Sequence, residues 1–547
     1  MHQLRRELEN AHPAAAKTLA ELQRETRAAR SNTLDPFWRI AAHAPIAGDD
    51  LTAVRTVAAA LDDLAHDGLP PLVETAGMVD VGAVTPKDGR VDLAALQRAA
   101  PRLAVANAAV DRARDRIAAI AVDGLVGPIK AAIANLLEYL GEASDTTALA
   151  ARSAALLPPM LGASGPRDYL VLFQNLAEVR ATGGMPGAYV VVRADRGGIS
   201  IVDQGTAAGL QPFDRPVLTL AATDRALYSD RLGRFPADIN LTPHFPTAGR
   251  LAQEMYRLRT GRTVDGVLAT DPVALSYLLR AIGNVSVPHG TDLTADNAVP
   301  VLLSRTYAQD VLPEEQDRYF GAAAKAVFHA VVQRPLNSSQ LLAELARAAG
   351  ERRLLVWSAR PAENALLAGT VLTGVLPVND GDRPTAGVFL NDGSGAKLGY
   401  YLTHSAELTV VPGCRPDRRR EMRLRVTLGS TAPRSGLPPY VLGLGLAGDP
   451  YTVRTVVSIY SSTGGVVDTM ALDGEPTPFG AGRDRRRAVG IVTVDLKPGT
   501  KRTLEVKLLT GVFAAGDIAL KPQLWTTPGV NPWEQSVGSA DGCPIGR

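Results

Sequence analysis

The sequence predicts a multidomain α+β protein: an N-terminal helical bundle or stalk, a central α/β domain and a C-terminal antiparallel β-sandwich. Three observations predict it. Up to about residue 155, alanine and leucine recur at helical spacing with acids and arginines between them. From 156 to 384, short apolar runs of the buried-strand kind alternate with helical patterns, which implies a sheet layered with helices. From 385 onward, strand-like runs follow one another across Gly, Pro and Asp turns. The length of 547 residues suits about three domains at roughly 100–200 residues each. The boundaries read as 1–155, 156–384 and 385–532, with a Gly/Pro-rich tail over 533–547.

The helical part shows its period in Leu19 and Leu22, then in Val54, Val57, Leu61 and Leu64. Breaks are expected at Asn32–Pro36, at Ala47–Asp50 and at the Pro70-Pro71 pair. A second helical stretch runs from Leu93 to Leu140. No window reaches the roughly 18 uninterrupted apolar residues of a membrane span. The nearest candidate, Ile117–Leu137, is interrupted by Asp123 and Lys130 and reads as a buried helix. Nothing in this region pairs His with Asp or forms a Gly-rich loop.

In the central part, Tyr169–Phe173 is a buried strand. Ala188–Arg193 and Ile199–Val202 flank Asp195-Arg-Gly-Gly198, a hairpin signal. Residues 248, 251, 255 and 258 mark one face of a helix over Thr247–Thr260. Gly266–Ala269 is a strand, and Asp271-Pro272 opens a helix with an N-cap acid and a first-turn proline. Val285–Val287 and Leu354–Trp357 read as further strands. In the last part, Leu408–Val411, Met422–Thr427, Tyr451–Tyr460, Val489–Val494 and Thr503–Leu509 supply the sandwich.

Lys plus Arg number 58 against 56 Asp plus Glu, a net charge of +2 that argues against a nucleic-acid partner. Nine of the cations are lysines and none lies between Lys130 and Lys325, so the central domain holds nearly all its positive charge on guanidinium forks. Two basic runs, Arg415–Arg420 and Arg483–Arg487, read as solvated turns. Cys414 and Cys543 form no C-x-x-C pair, which excludes a zinc or redox motif. They are two idle thiols or one disulfide. A bridge would staple the tail and require an oxidising exterior, and it is the expected state.

Chemistry concentrates in two segments. Asn175–Gly187 follows a buried strand and sets Glu178, Arg180 and Thr182 beside Gly183-Gly184, where a guanidinium next to exposed amides can hold an anion. Tyr228–Pro246 gathers Asp230, Arg231, Arg234, Asp238, Asn240 and His244 in a loop with little apolar content. The sequence contains no phosphate-binding P-loop, no G-x-S-x-G elbow and no H-E-x-x-H helix.

Tyr169–Gly184, Phe37-Trp-Arg39, Ala237–Pro246 and Gly399-Tyr-Tyr-Leu402 resemble the DUF4012 proteins, an uncharacterised actinobacterial family. That resemblance implies an outward-facing cell-envelope protein anchored by an N-terminal transmembrane helix upstream of this chain. The central domain is in turn similar, more distantly, to the LytR-CpsA-Psr family. This second resemblance implies transfer of glycan phosphate from a polyprenyl pyrophosphate carrier with arginines and Mg²⁺. Arg180-Ala-Thr182 falls where that family has Arg-x-Asp-Thr, and Ile239-Asn240 where it has Lys-Ile-Asn. Val264–Asp271 with Leu278–Val287 resembles its strand–helix–strand stretch. The family's metal-binding acid after the first arginine is missing, because Ala181 and Thr182 stand there, and its Ser-Ile-Pro-Arg-Asp segment has no clear counterpart, Tyr228–Arg231 being the candidate replacement.

The expected function is transfer or hydrolysis of phosphate-linked cell-wall glycan at an arginine-lined pyrophosphate site. Arg180, Asp230 and Asp238 are its expected catalytic groups. Asn175, Glu178, Thr182, Arg231, Arg234, Asn240 and His244 are expected to bind substrate, and Asp230 and Asp238 to hold Mg²⁺. Two alternatives stand beside it. One is a non-catalytic wall-polysaccharide binder or scaffold. The other is a glycoside hydrolase with Asp230 and Asp238 as its carboxylate pair.

Overall fold

A computed structural model describes residues 14–36, 38, 48–76, 89–288, 290–309, 313–334, 336–413, 415–512 and 519–540. Cys414 and Cys543, the expected disulfide pair, lie outside the described residues. The chain is a multidomain α+β protein, and it divides into two compact units. One is Met1–Arg167 with Ala194–Ile199, and the other is Asp168–Arg193 with Ser200–Arg547.

The first unit is helical, with helices Ala15–Thr33, Gly48–Asp63, Leu69–Ala76, Leu93–Ala118 and Gly127–Met160. Among its described residues no helix is long and apolar enough to cross a membrane. The stretch Ile117–Leu137 is not one helix as the sequence suggested. Ala119–Val126 breaks it, and proline at the first turn restarts the chain at Gly127. Pro70-Pro71 does not end a helix either. The pair occupies the start of Leu69–Ala76, directly after a π-helical turn at Leu64–Gly68. Ala53, Ala60, Leu64, Ala109, Val110, Ala113 and Ile117 form the buried seam. A polar strip fixes the register of the two long helices. Ser144 donates to Asp111 Oδ1 at 2.5 Å, and Thr147 donates to Asn107 Oδ1 at 3.0 Å.

A five-stranded sheet, which belongs to the second unit except for Arg167 and Ala194–Ile199, carries the order β3-β2-β1-β4-β5. The strands are β1 Arg167–Arg180, β2 Gly183–Asp195, β3 Gly198–Thr206, β4 Gly266–Thr270 and β5 Leu355–Ser358. β4 runs parallel to β1 in the register Tyr169↔Gly266, and β5 closes the edge antiparallel to β4. The β2–β3 hairpin turns on Arg196 and Gly197, both at positive φ, as its Arg-Gly-Gly sequence demands. The helix Phe245–Thr260 buries Ala248, Leu251 and Met255 against the sheet core, which also takes Leu170, Leu172 and Trp357. Leu258, counted on that face in the sequence, is 47 % exposed. Val285–Val287 forms a bridge, Val285 with Leu293, rather than a strand. Helices Pro272–Ile282 and Ser338–Gly350 meet Leu176 in a separate cluster.

The remaining strands are β6 Thr385–Asp392, β7 Leu402–Val410, β8 Glu421–Ser430, β9 Val453–Tyr460 and β10 Val466–Leu472. They continue as β11 Glu475–Pro476, β12 Gly480–Asp484, β13 Arg487–Leu496, β14 Lys501–Leu509, β15 Gln523–Thr526 and β16 Glu534–Val537. They make two sheets, β11-β10-β14-β8-β7-β16 and β12-β13-β9-β6-β15. Alternate residues point inward: Met422, Leu424, Val426 and Leu428 from β8, and Leu504, Val506 and Leu508 from β14. Most pairings are antiparallel. β15 and β16, however, lie parallel to β6 and β7 at the two sheet edges, and β16 falls within the stretch read as a tail.

Two histidines inside this unit make its stability depend on acid. Burial, reinforced by Arg485 and Arg250, pushes His244 down to about 3. Burial, with Arg353 adding to it, pushes His404 down to about 4, where its ring stacks on Trp533. Both are neutral when folded, whereas an unfolded histidine protonates near its ordinary value of about 6.5. Stability is therefore complete above that value and falls as the pH drops through it towards 4. Each histidine contributes a slope of up to about 1.4 kcal/mol per pH unit near pH 5. His244→Asn keeps a capping oxygen. Urea melts between pH 7 and 4.5 should show it losing stability less steeply than wild type, by about that one-proton slope.

Candidate functional site

The end of β1 carries polar residues where a buried strand has no packing use for them. Gln174, Asn175, Arg180 and Thr182 are all buried. Gly184 lets β2 pass against β1. A Cβ there would collide with the backbone carbonyl of Asn175 and the Leu176 nitrogen. Gly184→Ala is therefore expected to cost about 3 kcal/mol, because the clash is with backbone that cannot rotate away. A thermal melt reads the loss directly.

An ionic cluster forms at this end. Arg180 Nη2 donates to Asp238 Oδ1 at 3.2 Å, and Arg231 donates to Asp238 Oδ2 from Nε at 3.0 Å and Nη2 at 2.6 Å. Asp238 sits in a 3-10 turn, Pro236–Asp238, and is 3 % exposed. The Arg180 side chain is 10 % exposed and that of Arg231 is 63 % exposed, so one guanidinium is internal and the other faces outward. Asp392 is close enough to feel Arg180. Burial nevertheless raises its carboxyl above the ordinary value, against the hydrogen bonds from Ser394.

A neutral network lies beside it. Asn240 Nδ2 donates towards Gln174 Oε1 at 3.0 Å, Thr182 Oγ1 at 3.0 Å and the Gly184 carbonyl at 2.6 Å. Thr182 Oγ1 donates to Gln174 Oε1 at 2.8 Å. The turn between β1 and β2 is also clamped by the sandwich. Ala181 N donates to Asn391 Oδ1 at 3.1 Å, and Thr527 Oγ1 donates to the Ala181 carbonyl at 3.1 Å.

Of the residues singled out in the sequence, Arg180, Arg231 and Asp238 meet, with Thr182 and Asn240 in the adjoining network. The others have partners of their own. Asp230 accepts from Arg225 Nε at 2.8 Å on the surface. Arg234 donates to the Phe213 carbonyl at 3.0 Å, and its guanidinium and that of Arg231 lie over the Phe235 ring. Asn175 donates to the Tyr307 hydroxyl at 2.8 Å. Glu178 pairs with Lys397, whose ammonium lies over the rings of Tyr307 and Tyr440. His244 caps the helix Phe245–Thr260 through Nδ1. Sequence reasoning missed Gln174, Asn391 and Thr527. The glutamine carried a readable signal, an amide inside a strand of apolar residues.

Asp230 pairs with Arg225, and Asp238 with Arg180 and Arg231. Among the described residues no group of three His, Cys, Asp or Glu side chains could hold a metal ion.

No curated protein matches this chain. Solved structures give partial likenesses at low scores. An M1 zinc metallopeptidase from Deinococcus radiodurans is 14 % identical over 21 % of this chain and 22 % of its own, with a TM-score of 0.13. The chain thus spans about a fifth of the length of that peptidase. The transcriptional regulator yvhJ from Bacillus subtilis is 11 % identical over 39 % of this chain and 78 % of its own, with a TM-score of 0.21. A putative nutrient binding protein from Legionella pneumophila is 5 % identical over 23 % of this chain and 42 % of its own, with a TM-score of 0.15. Residues 164–307, the stretch that holds Arg180, Arg231 and Asp238, match the model of the DUF4012 family, described as a protein of unknown function.

Proposed function

We propose that this chain is a cell-envelope protein that binds anionic wall glycan without turning it over. The carrying observation is the state of the arginines. Arg180 and Arg231, which a phosphotransferase would aim at pyrophosphate, close instead on the carboxylate of Asp238. A carboxylate between two guanidiniums cancels charge that a transferring phosphoryl group would need. What remains for a ligand is the outward edge of Arg231, whose Nη1 is free of the pair to Asp238. That suits weak recognition of a repeating anionic polymer better than chemistry on one bond. Glycan as the ligand class and the envelope as the location rest on the resemblance to DUF4012 and LytR-CpsA-Psr proteins. On the same footing, an anchoring helix would lie upstream of this chain.

Phosphate transfer is the second reading, and one observation favours it: two arginines from separate segments do converge at the end of β1. The glycoside hydrolase reading needs Asp230 and Asp238 as free acids, and each is engaged by an arginine.

The test is calorimetric titration of an isolated anionic wall polymer, alongside turnover assays on polyprenyl-pyrophosphate-linked glycan with Mg²⁺. Binding is expected to be saturable and salt-sensitive, at least tenfold weaker in Arg231→Ala, and without product. Product formed by wild type and lost in a folded Arg180→Ala variant would overturn this reading in favour of transfer.

A further inference from the structure

A second site lies at the β12–β13 hairpin, apart from the Asp238 cluster. Arg483–Arg487, read in the sequence as a solvated turn, is only partly so. Arg487 is buried and donates to the carbonyls of Thr385, Ser461 and Pro377 and to Asp380 Oδ1. Its neighbours line a cleft of about 70 Å³ together with Pro243, His244, Val375–Val378 and Thr463.

The polar atoms of this cleft are unequally satisfied. Arg485 pairs with Asp484 at 2.5 Å, and Arg487 with Asp380 at 2.8 Å. Arg486 has no carboxylate partner among the described residues; its Nη1 reaches Asn379 Oδ1 at 3.3 Å. His244 Nδ1 lies 3.3 Å from the Thr247 backbone N and 2.9 Å from Thr247 Oγ1, and in the tautomer that accepts the backbone N–H the ring proton is on Nε2. Burial keeps the ring neutral, and Nε2–H has no acceptor among the described residues. Two donors, one of them cationic, therefore line a cleft whose other wall, Val375-Leu376-Pro377-Val378, is apolar.

We propose that this cleft binds a short aliphatic carboxylate of three or four carbons, free or as the acid arm of a larger molecule. The carboxylate would accept from Arg486 and His244 Nε2, and its chain would lie on Val375 and Leu376. At roughly 10–15 Å³ for each water-sized centre, the volume takes about five to seven heavy atoms. A monoanion matches one unpaired guanidinium. A phosphate dianion would bring a second charge towards Asp484 and Asp380 and has no use for an apolar wall. The assignment does not rest on the wall-glycan reading.

Titration of the full chain with butyrate, butyramide and inorganic phosphate, followed by saturation-transfer NMR, tests it. Saturable binding of butyrate is expected, at least tenfold tighter than butyramide or phosphate. Arg486→Gln should weaken it tenfold or more, with the melting temperature unchanged. Val375→Asp, on the apolar wall, should weaken it as well. Absence of saturable butyrate binding, equal binding of butyramide, tighter binding of phosphate, or an unaffected Arg486→Gln would each overturn the proposal.

Discussion

Asp271→Ala is expected to destabilise the 168–547 unit by about 3–5 kcal/mol, the range for breaking a buried ion pair from one side. Asp271 does two jobs. Its Oδ1 accepts the Ala274 N–H at 2.8 Å as the N-cap of Pro272–Ile282, and its Oδ2 accepts from Arg353 Nη1 at 3.0 Å. The side chains are 1 % and 4 % exposed, so neither charge can rehydrate when its partner is removed. Arg353 also holds the Gly529 carbonyl at 2.9 Å, which carries the loss from the helix layer into the sandwich. Urea melts followed by tryptophan fluorescence should show the loss. Replacing Arg353 with methionine in the same chain should recover part of it, because no stranded guanidinium is left. Glu351→Ala serves as the comparison. It removes a carboxylate that is 36 % exposed while leaving Arg353 its buried partner, and is expected to cost only about 1 kcal/mol.

Asp238→Ala is expected to act in two directions. Stability should fall by about 3 kcal/mol, since Arg180 is left buried without its carboxylate while Arg231 simply turns to water. Affinity for polyanions should rise several-fold in the same variant, because two guanidiniums lose the internal anion that occupies them. Adding Arg180→Met should restore most of the stability and remove much of the affinity gain. A variant that loses stability without any gain in pyrophosphate or polymer binding would show the cluster to be structural only. Asp238→Asn should lie between the two.

Much of the architecture was legible because it is written locally. Buried strands announced themselves as Tyr169–Phe173 and as the alternating runs of β8 and β14. The β2–β3 hairpin was carried by Arg-Gly-Gly, and the Pro272–Ile282 helix by Asp-Pro. What could not be read is written across the chain. Asp238 looked like one of two equivalent acids, and its burial between Arg180 and Arg231 depends on residues 58 positions apart. Arg487 looked solvated inside a run of arginines, although its alternation in β13 points it inward beside Asp380. The edge strands β15 and β16 are four residues each and parallel to strands more than a hundred residues earlier, so no turn signals them. Leu258 and the Ile117–Leu137 stretch erred the other way: apolar spacing was present, but tertiary packing did not use it.

The parallel edge strands set a clock on synthesis. Both sheets of the sandwich wait for residues 523–537 before their last edges are paired, and the clamp on Ala181 waits for Thr527, 346 residues downstream. A ribosome adding roughly 5–20 residues per second would hold the nascent β1–β2 turn incomplete for tens of seconds. Once β6 and β7 have been made, their open edges could template pairing with another chain until β15 and β16 follow. This protein should therefore be most vulnerable to aggregation while it is being made rather than after it has folded. Chains halted before residue 523 should be recovered from cells mainly with chaperones or in insoluble material.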